Sequence, residues 1–229
     1  MKEHLLRAQR GLENVEVFLK FEASDGAVIF TDSSPKARAF ARDGTSTTIS
    51  TEQYKIGSSS CKFLSGSQNK SSIYTTVDAA LSLSTKDFTI EGWFYPNTVS
   101  GSPYILQWGQ LANGNWVGFY IGNGTVGWAI RSASLAFVYN LTSVGTIPAL
   151  AWSHVAVERT GNTITMYLNG VADNSSSYTG SFNATVQRLT IGELHRSDSN
   201  LNYPYTGFMD QIRITIGKAR YNGNFIPGE

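Results

Sequence analysis

The chain has 229 residues, a formal net charge of +1, 12% aromatic residues and only 15% charged residues. This balance excludes an electrostatic grip on nucleic acid, which needs a concentrated basic face. It also excludes disorder, because aromatic and β-branched residues run the whole length. The lone cysteine, Cys61, excludes an internal disulfide and a cysteine-based zinc site.

Residues 1–14 stand apart as an N-terminal arm. Leu5, Leu6 and Gln9 with Lys2, Arg7 and Arg10 fit a short amphipathic helix that ends near Gly11. So short a helix is marginal alone and must dock, either on its own domain or on another subunit. Leu5, Leu6, Arg7 and Arg10 are therefore the candidate assembly residues. Charge without a following apolar run makes this segment a poor signal peptide. No apolar run approaches the ~20 residues that span a bilayer, so no membrane insertion is expected.

Residues 15–229 read as one domain of strands and turns. Val15, Val17, Leu19 and Phe21 alternate with more polar neighbours, a period-2 strand with one buried face. Ser24-Asp25-Gly26 is a turn, and Phe30–Pro35 ends a second short strand in a loop. Lys36, Arg38, Arg42 and Asp43 read as a solvated loop. Further strands are expected at 61–64, 72–74, 88–95, 104–108, 117–121, 126–131, 154–159, 163–168, 188–191 and 207–216. Asn123-Gly124, Gly161-Asn162 and Asn169-Gly170 supply the positive-φ residues of tight hairpins. Many short strands without a repeat point to an all-β, two-sheet antiparallel jelly-roll sandwich. In Phe88–Tyr95, Phe88, Ile90 and Phe94 share one face and Trp93 and Tyr95 the other. Trp152 and His154 oppose Val155 and Val157 in the same way.

Four segments in order resemble the concanavalin A-like (laminin G-like) family. They are Val17-Phe18-Leu19-Lys20-Phe21-Glu22 with Phe30-Thr31-Asp32-Ser33-Ser34; Lys86-Asp87-Phe88-Thr89-Ile90-Glu91-Gly92-Trp93; Trp152-Ser153-His154-Val155-Ala156 with Tyr167-Leu168-Asn169-Gly170; and Gly207-Phe208-Met209-Asp210-Gln211-Ile212-Arg213-Ile214. The resemblance implies the jelly-roll fold over residues 15–227. The ending, Ile212-Arg213-Ile214-Thr215 through Ala219-Arg220-Tyr221 to Phe225-Ile226-Pro227, is similar to the tails of such domains from tailed bacteriophages. It implies a virion protein of capsid or tail, partnered by virion structural proteins, and leaves open whether the chain also forms a homo-oligomer. The alternative setting is a bacterial or extracellular surface.

Catalysis is not expected. Glycosidases of this fold need two carboxylates across a cleft, and no Glu-x-Asp-x-x-Glu run occurs. No cofactor is expected beyond a structural calcium, for which the resemblance nominates Asp32 and Asp210, with Glu22 or Asp25 as helpers. Binding of host cell-surface glycans remains. Sugar rings stack on exposed aromatics, and amides bond hydroxyls. The candidates are Trp108, Asn113, Asn115, Trp116, Tyr120, Trp128, Tyr139 and Tyr203. Alternation of Trp116, Gly118 and Tyr120 against Val117, Phe119 and Ile121 makes one set core without saying which. The patternless stretch Glu193–Tyr205, with His195, is a second plausible rim.

Overall fold

The computed structural model describes residues 12–64, 71–110, 115–132, 134, 136–184, 188–195 and 203–228. The helical arm expected from Leu5, Leu6, Arg7 and Arg10 lies outside these residues, as does Asn113. Among the described residues there are fifteen strands and no helix. In chain order they are β1 (Val15–Leu19), β2 (Ala41–Asp43), β3 (Thr47–Ser50), β4 (Ser60–Phe63), β5 (Ser72–Thr76), β6 (Phe88–Pro96), β7 (Tyr104–Trp108) and β8 (Trp116–Gly122). There follow β9 (Thr125–Arg131), β10 (Phe137–Thr142), β11 (Ser153–Thr160), β12 (Thr163–Leu168), β13 (Val171–Ser177), β14 (Arg188–Ile191) and β15 (Gly207–Ile216).

They form two antiparallel sheets packed face to face. One sheet runs β13-β12-β11-β6-β15-β4-β3, with β1 also on β15. The other runs β10-β9-β8-β7-β14-β5-β2. The first and last strands are thus neighbours. The hairpins form where expected. Asn123 and Gly124 both take positive φ, as do Asn169 and Gly170, which matches the two-residue turns closing β8–β9 and β12–β13.

The inner faces settle the ambiguous strands. Val117, Phe119 and Ile121 of β8 enter the core, and Trp116, Gly118 and Tyr120 face out. Phe88, Ile90 and Phe94 of β6 and Val155 and Val157 of β11 are core, as their alternation required. Trp128 is the hub of the core, with ring centroids 5.5 Å from Phe88, 5.5 Å from Phe182, 6.0 Å from Phe119 and 6.1 Å from Trp108.

Three sequence expectations change. Phe30–Asp32 makes only a single bridge, Leu19 to Asp32, and not a strand. The basic stretch is not a free loop. Arg38 pairs with Glu16 at 2.9 Å and with Asp78 at 2.8 Å, while Arg42 lies in β2 and donates to the carbonyls of Thr45 and Thr47. Four strands were not anticipated: β2, β3, β10 and β13. All four end a sheet, and β2 and β13 carry polar residues on both faces.

The tail covers part of the outer face of the eight-stranded sheet. After β15 the chain crosses β6, β11 and β12. The N–H groups of Arg220, Tyr221 and Asn222 donate to the buried Glu158 carboxylate at 2.8, 2.8 and 2.9 Å. Phe225 stacks on Tyr221, and its N–H bonds the Gly170 carbonyl at 2.8 Å. A Cβ at Gly170 would stand 2.0 Å from the Phe225 carbonyl oxygen, so glycine serves both the turn and the tail. His154, buried, packs its ring against Trp93 and Phe225.

Candidate functional site on the seven-stranded sheet

The outer face of the seven-stranded sheet carries some of the aromatic residues that the sequence nominated. Three rings lie against it. Tyr104 of β7 stands opposite Tyr120 of β8, with centroids 5.5 Å apart, and Trp116 lies 5.6 Å from Tyr104. Two glycines make room. A Cβ at Gly127 would fall 2.3 Å from Tyr120 Cζ, and one at Gly118 would fall 2.7 Å from both Tyr104 and Trp116. Without them the rings would have to stand off the sheet. The Tyr120 hydroxyl reaches across β9 to Asn140 Oδ1 on β10, at 2.9 Å. Burial pushes the Tyr104 and Tyr120 phenols up, so both stay neutral O–H groups in the physiological range.

A loop roofs one end of this cluster. Leu194 packs on Tyr104 and Trp116, leaving Trp116 1% exposed. The backbone of His195 is clamped to Gln107 on β7, its N–H donating to Oε1. Tyr120 is half-buried, and on the neighbouring edge strand β10 Asn140 and Phe137 are exposed. Arg131 of β9 stacks its guanidinium 3.6 Å above the Phe137 ring. The backbone N–H of Tyr104 donates to the Tyr203 carbonyl, which sets Tyr203, 43% exposed, at the rim.

The nominated residues therefore divide. Tyr120, Trp116 and Tyr203 belong to one patch, and Asn115 is exposed just before Trp116. Trp108 and Trp128 do not belong to it. They are inward residues of β7 and β9, buried in the core, and Trp108 Nε1 donates to the Leu81 carbonyl at 3.3 Å. Neither can present a ring face to a ligand. Tyr139 turns to the sandwich edge, its ring tilted against Tyr178 at 4.6 Å with its hydroxyl at 2.7 Å from Ser176 Oγ. Trp116 supports the patch from beneath the roof. Tyr104, Arg131 and Asn140 were not foreseen. Their signal was the cross-strand register that places Gly127 opposite Tyr120 and Asn140 opposite Ala129.

The two nominated calcium ligands hold different loops. Asp32 is a staple: Oδ1 accepts the N–H groups of Phe18 and Ser34, and Oδ2 accepts the Ser34 hydroxyl and the Arg38 N–H, at 2.8–2.9 Å. Asp210 binds a different loop, its Oδ2 accepting the N–H groups of Lys55 and Ile56. Glu22 is bonded to Ser58 and Asp25 to Thr51. Among the described residues neither Asp32 nor Asp210 joins a converging group of three acidic, histidine or cysteine ligands. The group that does converge is Asp43, Glu193 and His195, whose ligand atoms lie within 4.8 Å of one another.

Asp210 instead carries a pH signature. Burial raises its carboxyl, the Ile56 and Lys55 N–H groups lower it, and the nearby Glu22 charge adds to the rise, leaving it at about 6. Its folded value thus lies above the ordinary aspartate value, so the folded state binds the extra proton between about pH 4 and 6. Stability from this group falls as pH rises through that window and stays lost above it. Asp210→Asn should therefore gain on the parent chain as pH goes from 4 to 7. Thermal melts at both pH values check this, and a constant gap would contradict it.

The family model described as the concanavalin A-like lectin/glucanases superfamily matches residues 68–217, more than half of the chain. The chain belongs to the concanavalin A-like lectin/glucanases superfamily. No curated protein matches it. Among solved structures it is similar to the binding domain of Paraclostridial Mosquitocidal Protein 1, with a TM-score of 0.68 and 17% identity, covering 91% of this chain and 50% of that one. It is also similar to domain 4 of AbnA, a GH43 extracellular arabinanase from Geobacillus stearothermophilus solved with arabinotriose. There the TM-score is 0.67 and the identity 18%, covering 90% of this chain and 94% of that one. A third is a botulinum neurotoxin type C structure, whose cell entry is described as dependent on two ganglioside molecules. The TM-score is 0.66 and the identity 12%, covering 93% of this chain and 50% of that one. This concanavalin A-like chain spans about half the length of the toxin binding domains, and at these identities the likeness is one of fold.

Proposed function

We propose that this domain is a non-catalytic glycan-binding module, working as an adhesin at a cell or particle surface. The observation that carries the reading is Tyr120. Its ring lies flat over Gly127, its hydroxyl is tied to Asn140, and it is half-open on the outer face of the seven-stranded sheet. A sugar stacked there would meet the Asn140 amide and the Arg131 guanidinium as hydroxyl partners. Two of the structurally similar proteins are described with glycans, arabinotriose and gangliosides, which supports the ligand class.

The strongest objection is a pair of carboxylates, Asp43 and Glu193, that do approach each other. Glycosidases use such pairs. Here Glu193 is 1% exposed and its two oxygens are held by the Ser71 N–H at 3.0 Å and the Ser72 hydroxyl at 2.8 Å, while Asp43 is ion-paired to Arg188. Neither is presented to a glycosidic oxygen as an open acid or nucleophile, which supports the non-catalytic reading. A place on a bacteriophage particle rests on the tail resemblance alone. Its test is deletion of residues 1–13, which should abolish incorporation into particles.

The glycan test is a panel that includes arabino-oligosaccharides and ganglioside headgroups, followed by Tyr120→Ala. Binding should weaken about tenfold, or about 1.4 kcal/mol. A panel without any binder, or a ligand indifferent to Tyr120, would remove the proposal.

A further inference from the structure

The convergence of Asp43, Glu193 and His195 has a structural origin that goes beyond glycan binding. Strand β2 pairs with β5 so that Asp43 faces Ser72, and β5 pairs with β14. After β14 the chain turns at Gly192, where φ is +100° and a Cβ would collide with the Phe63 ring and the Ser71 carbonyl. That turn sends Glu193 back to the Ser71 N–H and the Ser72 hydroxyl, and it delivers His195 to Gln107. Two separate pieces of chain, β2 and the segment after β14, therefore bring two carboxylates and one imidazole to a single point on the outer face.

We infer that Asp43, Glu193 and His195 form a binding site for a divalent transition-metal ion, with zinc as the fitting occupant. The ligand atoms all lie within 4.8 Å of one another, near the span of roughly 4 Å set by two zinc bonds of ~2.1 Å. One imidazole with two carboxylates is a borderline donor set. It suits zinc better than calcium, which prefers oxygen alone. The existing hydrogen bonds leave room, since each carboxylate has about four acceptor positions. Glu193 uses two of them, and the Arg188 pair occupies one oxygen of Asp43. Arg188 itself is held by Thr190 Oγ1 at 3.0 Å and by the Tyr74 ring at 3.7 Å. It serves as the outer partner that orients a ligating carboxylate. The two carboxylates and one guanidinium leave net negative charge for a dication to neutralise. The ion would fasten the segment carrying Leu194 and His195 to the edge strand β2.

The test uses the full chain, stripped with a chelator, in calorimetric titrations with zinc chloride and, separately, calcium chloride. One zinc per chain is expected, with no calcium heat, and at least tenfold weaker zinc binding in both His195→Ala and Asp43→Asn. Circular dichroism verifies that the variants are folded. No zinc heat would overturn the inference. So would zinc binding unchanged in either variant, which would place the ion elsewhere, or calcium binding as tight as zinc. None of these readouts involves a sugar, so the metal and glycan readings stand or fall separately.

Discussion

Glu91→Ala should lower the folding stability by about 3–5 kcal/mol, the range for removing one partner of a buried ionic network. The Glu91 carboxylate sits on β6 beneath the tail, 3% exposed by side chain. It meets Arg213 at 2.8 Å, Arg220 at 3.1 Å, His154 at 3.4 Å and the Tyr221 hydroxyl. Alanine would leave two guanidinium groups without their anion. The pH dependence follows from the same contacts. Burial alone would raise this carboxyl, but the His154 hydrogen bond and the Arg213 charge outweigh it and hold it at about 2. A carboxylate whose folded value is depressed contributes stability that is full above the ordinary glutamate range near 4.5 and is lost as pH falls towards 2. The shift corresponds to about 3 kcal/mol. Urea melts at pH 7 measure the first effect. Melts between pH 5 and 2 measure the second, with Glu91→Gln as the variant whose acid limb should be flatter. Parallel acid limbs would show that this carboxylate is not the group responsible.

That network also explains the chain's ending. The stretch from Ile212 to Pro227 first attracts notice as a tail like those of phage proteins. In the structure its side chains have work of their own. Arg213, Arg220 and Tyr221 bond Glu91, the Arg220–Asn222 backbone fills Glu158, and Phe225 caps His154 and Tyr167. A motif whose residues are consumed in covering β6, β11 and β12 has its explanation in the fold itself.

The fold was legible because period-2 alternation survives wherever a strand has one buried face. β12, β14 and β15 fall at the residues expected, and β6, β8, β9 and β11 within two residues of them. β10 and β13 were not legible. They are edge strands, β13 exposed or half-buried throughout and β10 burying only Leu141, so no clear alternation marks them. The patch was legible only in part, since parity says that Trp116 and Tyr120 share a face but not which face is wet. The Asp43–Glu193–His195 convergence was beyond reach. Asp43 is separated from Glu193 and His195 by most of the chain and meets them through two pairings in the sheet order, which local pattern does not encode.

The sharpest separation of core from site lies in one strand. Trp128→Ala should cost about 3–5 kcal/mol, the range for emptying a large aromatic from a packed core. Four aromatic neighbours line the space it would vacate, and they belong to β6, β7, β8 and the bridge residue Phe182, so the collapse cannot be local. Its Nε1 is buried without a partner, so the ring is held there by packing alone. Trp128→Phe, which keeps a ring and discards that donor, should cost clearly less than alanine. Glycan affinity, measured on the fraction still folded, should be unchanged in both, since the neighbouring residues Gly127 and Ala129 face the opposite way. Tyr120→Ala should show the reverse pattern, losing affinity while costing only about 1 kcal/mol of stability. A loss of affinity at Trp128 without a loss of stability would mean that the inward and outward faces of β9 have been assigned the wrong way round.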